Sequence, residues 1–196
     1  MSAGLISILG PPAVGKTTVA ERLAEELPAG LIYEDYAGNP FLAESYLGRD
    51  AWRLPAQLYY VMSRVKQLAL ATWPKSGLMI SDYAFCQDAI YAAVQVPPEE
   101  KPLYDQVAAK LAPLVKPPDL AILLDAPAPM LLERIANRGR AFEKAMSEAF
   151  IDGLRHSYDA AVEELGCPLI RIDCRRTDLR RPGERSHLLK RIRECM

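Results

Sequence analysis

Between the apolar run Leu5–Leu9 and the helically spaced segment Lys16–Leu27 lies GPPAVGKTT, Gly10 to Thr18. Gly10, Gly15, Lys16 and Thr17 fit Gly-x-x-x-x-Gly-Lys-Ser/Thr, and a strand before and a helix after give that pattern a mechanism. Loop N–H groups converge on an anion, the helix N-terminus adds partial positive charge, Lys16 reaches the outer phosphates and the Thr17 hydroxyl can ligate magnesium. The residues expected to hold a nucleotide phosphate are therefore Gly10, Ala13, Val14, Gly15, Lys16, Thr17 and Thr18. The motif commits the chain to a buried strand feeding a helix, which is α/β architecture.

Further apolar runs at Leu31–Tyr33, Leu78–Ser81, Leu120–Leu124 and Leu169–Ile172 are short enough for strands buried on both faces. Helical spacing covers Pro55–Thr72, Tyr104–Leu114, Met130–Asn137, Met146–Leu165 and Glu184–Glu194, with Pro and Gly at most boundaries. This alternation predicts a five-stranded parallel sheet with helices on both faces. The long helical region between the second and third strands exceeds what a crossover needs, so extra helices there are expected to wall a ligand site. No repeat or linker divides the chain, which reads as one domain, 1–196.

Composition is that of a globular protein, half hydrophobic and a quarter charged. No apolar stretch is long enough to span a bilayer and no targeting segment is read, so a cytoplasmic location is expected. The four cysteines, Cys86, Cys167, Cys174 and Cys195, are scattered and form neither a zinc site nor a disulfide framework. Net charge is −1, yet residues 171–196 hold nine Lys/Arg against four Asp/Glu. That excess is read as a solvated terminal helix before a nucleic-acid surface.

A phosphate-bound magnesium calls for a nearby carboxylate, and two strands end in one, Asp82 in LMISD and Asp125 in AILLD. Both should border the crevice at the carboxyl ends of the strands, and spacing does not separate them. Glu34, followed by Asp35, leaves the second strand at the same rim. On the helix WRLPAQLYYVMSRVKQ, Gln57 and Arg64 lie seven apart and share a face, while Leu58, Val61, Met62, Val65 and Leu68 form a separate apolar stripe. A Gln amide and an Arg fork suit the edge of a planar heterocycle, the amide serving adenine or cytosine by flipping. In RIANRGRAFEK three arginines, Arg134, Arg138 and Arg140, surround Gly139 beside Glu143.

Taken in order, GPPAVGKTT, YED…NPFL, QLYYVMSR, SDYAFCQD and RIANRGRAFEK give the chain the pattern of the deoxynucleoside kinases, which it resembles over nearly its whole length. The resemblance implies a P-loop kinase fold with a short arginine-rich lid at about 134–146. It implies ATP- and Mg²⁺-dependent phosphorylation of a deoxynucleoside 5′-hydroxyl, in nucleotide salvage, by a homodimer without nucleic-acid or membrane partners. Glu34 matches the general base, Gln57 and Arg64 the residues that read the base, and Asp88 the partner of that arginine. Tyr46 and Glu143 match the pair that holds the 3′-hydroxyl, Trp52 an aromatic wall of the cleft, and Asp82 the acidic position associated with magnesium. Arg134, Arg138 and Arg140 match the lid arginines, which together with Lys16 would stabilise the transferring phosphate; Arg138 also falls among the nucleotide contacts. The pattern departs at Asp82-Tyr83-Ala84, where the family has an acidic residue, Arg and Ser.

Two other readings compete. A nucleoside monophosphate kinase shares the sheet, loop and lid but needs extra cations for its dianionic acceptor, for which Arg49, Arg53 and Arg64 stand available. A non-catalytic nucleotide switch would leave the lid arginines and Glu143 without a purpose.

Overall fold

The computed structural model describes residues 2–47 and 49–196. Five strands, β1 (Gly4–Leu9), β2 (Gly30–Ile32), β3 (Leu78–Ser81), β4 (Leu120–Asp125) and β5 (Leu169–Asp173), form one sheet in the order β2-β3-β1-β4-β5, every pair parallel. The expected sheet is thus found, with the phosphate-loop strand at its centre. The β1 residues Ile6 and Ile8 pack in the same cluster as Val19, Leu23, Leu131 and Ile192, while Leu9 packs with Ile90, Leu154 and Tyr158. Opposite strand faces therefore carry opposite helical layers, and the inner strands β1 and β4 are almost wholly buried because both faces are covered, whereas the edge strand β5 exposes Arg171 and Asp173.

The helices are α1 (Lys16–Glu26), α2 (Leu42–Tyr46), α3 (Arg53–Gln67), α4 (Gln87–Gln95), α5 (Lys101–Leu111), α6 (Ala128–Arg138), α7 (Glu148–Glu163) and α8 (Pro182–Cys195). Several boundaries differ from those the spacing predicts. The helix expected to reach Thr72 ends at Gln67, where Lys116 N–H takes the Leu68 carbonyl at 2.8 Å and Ala69 bridges Val115. The helix predicted to run to Leu114 gives way to a 3₁₀ turn at Ala112–Leu114, because Pro113 has no N–H for the ladder. α6 stops at Gly139, whose φ of 71° is left-handed, and α7 starts at Ser147, whose hydroxyl accepts from Phe150 N–H at 3.1 Å. Between them the chain makes a 3₁₀ turn, Ala141–Ala145, in the predicted lid. α2 lies in the long region where a wall was expected; α4 was not foreseen.

One side-chain assignment on α3 is also revised. Met62, placed in the packing stripe, is 55% exposed, whereas Gln57 and Arg64 are buried at 2% and 3%. The polar residues face inward because α4 presents polar partners to them.

Candidate active site

The phosphate loop is shaped by backbone conformations that its sequence permits. Gly10 has φ 141°, and a Cβ there would stand 2.2 Å from the Leu124 carbonyl oxygen, so no larger residue fits. Gly15 (φ 110°) and Ala13 (φ 60°) complete the left-handed turns that direct the loop into α1. Lys16 donates to the carbonyls of Gly10 (2.8 Å) and Pro11 (3.2 Å). Burial pushes its amine down while the Glu34 and Asp82 carboxylates pull it back up. Thr17 Oγ1 donates to Asp82 Oδ2 at 2.6 Å, and Asp82 Oδ1 accepts from Glu34 N–H at 2.8 Å. Burial raises the Asp82 carboxyl against the pull of these bonds. The loop residues 13–18 line a cleft of about 980 Å³ that continues past Glu34 to the buried ends of α3 and α4.

At the inner end Arg64 joins two carboxylates: one guanidinium nitrogen donates to Asp88 Oδ1 at 2.6 Å and the other to Glu34 Oε1. Glu34 Oε1 accepts a second bond from Gln87 Nε2 at 2.8 Å. Burial pushes Asp88 up to about 7 despite Arg64; for Arg64 itself burial is outweighed by the two carboxylates, which raise it. The guanidinium also lies over the rings of Tyr60 and Tyr83, at 5.4 and 4.9 Å from their centroids. Gln57 Nε2 donates to Gln95 Oε1 at 2.6 Å. Glu34, Tyr46, Gln57, Arg64, Asp88 and Glu143 all border this one cleft, together with the phosphate loop.

The lid folds over the same space. Glu143, 4% exposed, is gripped by Arg138 through two bonds of 2.9 and 2.5 Å and approached by Arg140 at 3.5 Å. Arg140 stacks 4.0 Å over the Tyr36 ring, and Phe142 packs on Tyr46 at 5.7 Å. Arg134 reaches back to the Val14 carbonyl at 3.3 Å. The three arginines are thus distributed, one on the phosphate loop, one on Glu143 and one on an aromatic rim.

A family model for deoxynucleoside kinases matches residues 6–196. The chain belongs to the deoxynucleoside kinase family. It is accordingly a phosphotransferase that acts on a nucleoside hydroxyl. The chain is 29% identical over 167 residues to a deoxyguanosine kinase of Bacillus subtilis, covering 84% of this chain and 81% of that one. It is 27% identical over 175 residues to a deoxyadenosine kinase of Dictyostelium discoideum, covering 86% and 71%. Among solved structures, the deoxyadenosine kinase from M. mycoides with products dCMP and dCDP superposes with a TM-score of 0.82 at 20% identity, over 98% of this chain and 100% of that one. That likeness establishes the fold.

One position carried over from the deoxynucleoside kinase pattern, Trp52, falls differently. Trp52 is not a wall of the cleft: it closes a 3₁₀ turn, stacks on Phe41 at 5.8 Å and is 39% exposed, outside the lining. Asp125 is held by Arg155 through bonds of 2.7 and 2.8 Å, whereas Asp82 accepts from Thr17 of the phosphate loop, which distinguishes the two strand-end carboxylates. Tyr83, where the family pattern has arginine, is buried with its hydroxyl on Gln67 Oε1 at 2.6 Å, and Glu34 is held by Arg64 and Gln87. Gln87 and Gln95 carry no mark in the sequence, because a buried glutamine on a helix has no signature distinct from an exposed one.

Proposed function

We propose that this chain transfers the γ-phosphate of ATP to the 5′-hydroxyl of a deoxynucleoside, with Glu34 as general base. The observation that carries this reading is the position of Glu34: it stands in the same cleft as Lys16 and Thr17, held by Arg64 and Gln87 on one oxygen, which leaves Oε2 to take a proton. Phosphoryl transfer needs positioning and charge stabilisation more than covalent chemistry. Gly10, Ala13, Val14, Gly15 and Thr18 would cradle the phosphates, and Lys16 would turn from the loop carbonyls to the outer ones. Gln57, Arg64 and Asp88 would hold the base, and Tyr46 with Glu143 the 3′-hydroxyl. Once Glu143 engages the sugar, Arg138 is released toward the phosphate, with Arg134 and Arg140 closing the lid and excluding water.

The residues fit a magnesium ion. Thr17 Oγ1 and Asp82 Oδ2 set two hard oxygens side by side, and among the described residues no cluster of three ligating groups forms a cage, as suits an ion held chiefly by phosphate oxygens and water. Bound there, Mg²⁺ would neutralise charge on the donor phosphates. The reading extends to one domain over 1–196 with a lid at about 134–146, to a cytoplasmic, salvage role, and to a homodimer paired through α3, whose Met62 points outward.

ADP release is to be measured with Mg²⁺ and ATP against the four deoxynucleosides and, in parallel, their monophosphates. Turnover with a nucleoside is expected; turnover with monophosphates alone would transfer the activity to the monophosphate kinase reading.

A further inference from the structure

The turn that follows Glu34 is pinned at several points. Asp35 Oδ1 accepts from Gly38 N–H at 2.9 Å and Asp35 Oδ2 from the Tyr59 hydroxyl of α3 at 2.8 Å. A Cβ on Gly38 would stand 2.5 Å from both the Asp35 carboxylate and the Tyr59 hydroxyl, so a larger residue there would break this pairing. Tyr36 N–H bonds the Glu34 carbonyl at 3.0 Å, and the Tyr36 carbonyl accepts from Asn39 N–H at 3.4 Å. The backbone of Tyr36 is thus fixed beside Glu34, and its side chain, 40% exposed, lines the cleft.

What that ring holds is a guanidinium. Arg140 lies 4.0 Å from the Tyr36 centroid, closer than Arg64 lies to Tyr60 or Tyr83. The other seat within reach of Arg140 is Glu143, but its Oε1 already takes Arg138 at 2.5 Å, and Arg140 stands off from that oxygen at 3.5 Å. Arg134 is engaged by the backbone of the phosphate loop, and Arg138 is paired with a carboxylate through two bonds. Arg140 is therefore the lid arginine kept on the Glu34 side of the cleft with its charge largely uncancelled, because a ring face attracts a cation without neutralising it. Deprived of the ring, the guanidinium would close the remaining distance to Glu143, and one carboxylate would then pair both arginines.

We infer that Tyr36 is a positioning residue for phosphoryl transfer: it withholds Arg140 from Glu143 and seats it beside Glu34, where the acceptor hydroxyl meets the transferring phosphate. The inference rests on the deoxynucleoside reading above. Positive charge already in place when negative charge spreads over the phosphate oxygens lowers the barrier, so loss of the seat is read in kcat. KM for ATP is left to the phosphate loop, Lys16 and Arg134.

The test is a double-mutant cycle in kcat. Wild type, Tyr36→Leu, Arg140→Ala and the double variant are assayed at saturating ATP and deoxynucleoside, with Tyr36→Phe beside them. Tyr36→Leu should lose about two- to fivefold in kcat, the worth of a partly exposed cation–π contact, with KM for ATP unchanged. Tyr36→Phe keeps the ring face and should restore the loss. Arg140→Ala should lose about 10²-fold, and adding Tyr36→Leu to it should cost nothing further, because the ring then has no guanidinium to hold. A merely structural ring would lower kcat by the same factor in both backgrounds. That additivity, full kcat in Tyr36→Leu, or a Tyr36→Phe as impaired as Tyr36→Leu overturns the inference and leaves the nucleoside kinase reading intact. Turnover with monophosphates alone overturns that reading, and with it the placing of Arg140 beside a 5′-hydroxyl. Should Tyr36→Leu fail to fold, Tyr36→Met, which also lacks an aromatic face, takes its place in the cycle.

Discussion

One oxygen of Glu34 takes bonds from both Arg64 and Gln87, and this fixes the carboxylate without occupying its other oxygen. Glu34→Gln keeps the shape and removes the basicity. It is expected to bind ATP as wild type does, by calorimetry, and to lose about 10²–10⁴ in kcat with nucleoside; an undiminished kcat would end the proposed role. Asp88 carries a second prediction. Burial raises its carboxyl from 3.8 to about 7, so between those values the folded chain holds a proton that the unfolded chain releases. Stability from this group is therefore full below pH 4 and declines as pH rises through 7. Asp88→Asn lacks a titrating carboxyl, so the difference between wild-type and variant stability, followed by urea unfolding across pH 4 to 7, should move against the wild type as pH rises. A flat difference would mean that Arg64 keeps Asp88 ionised throughout. Glu34, Gln57 and Arg64 were legible in the sequence because each sits at a strand exit or in a helical register, whereas Asp88 was legible only through the resemblance to the deoxynucleoside kinases. Gln87 and Gln95 were not, since what marks them is burial, and burial belongs to the partner helix.

Among the elements, α7 has the one side-chain N-cap bond found in the described helices, Ser147 to Phe150 N–H, and it carries the lid's C-terminal anchor. Ser147→Ala should lower stability by about 1 kcal/mol and the melting temperature by about 2–4 °C. Ser147 does not line the cleft, so kcat should hold within about twofold, and a large loss of turnover at unchanged melting temperature would contradict a purely structural cap. The sheet was legible because strands covered on both faces read as unbroken apolar runs. α4 was not, and the reason is physical: in QDAIYAAVQ the polar residues Gln87, Asp88 and Gln95 are buried along with Ile90 and Ala92, so the usual polar-out period is lost. The 3₁₀ turn of the lid, too short to show a period, is held instead by Glu143 and its arginines.

Taken whole, the molecule exposes apolar side chains on α3 and α5, Met62 at 55% and Leu103 at 53%. If α3 pairs two copies as proposed, sedimentation should report twice 21.8 kDa for wild type and a shift to 21.8 kDa for Met62→Lys; a monomer in both removes the homodimer. The remaining question at this scale is how the acceptor half of the cleft communicates with the donor half. Glu143 grips Arg138 at 2.9 and 2.5 Å, which keeps that guanidinium neutralised, while Arg134 rests on the phosphate loop at Val14. In the proposed cycle the sugar 3′-hydroxyl competes for Glu143 and frees Arg138, so charge reaches the phosphate only when an acceptor is present. Glu143→Ala removes both the sugar contact and the restraint. It should raise KM for the nucleoside and also raise ADP formed without nucleoside, relative to ADP formed with it, by severalfold. Coupled ADP detection alongside chromatography of the nucleotide product reads both quantities on one sample. A rise in KM with no gain in acceptor-independent hydrolysis would leave Glu143 as a sugar contact alone and locate the control of water elsewhere in the lid.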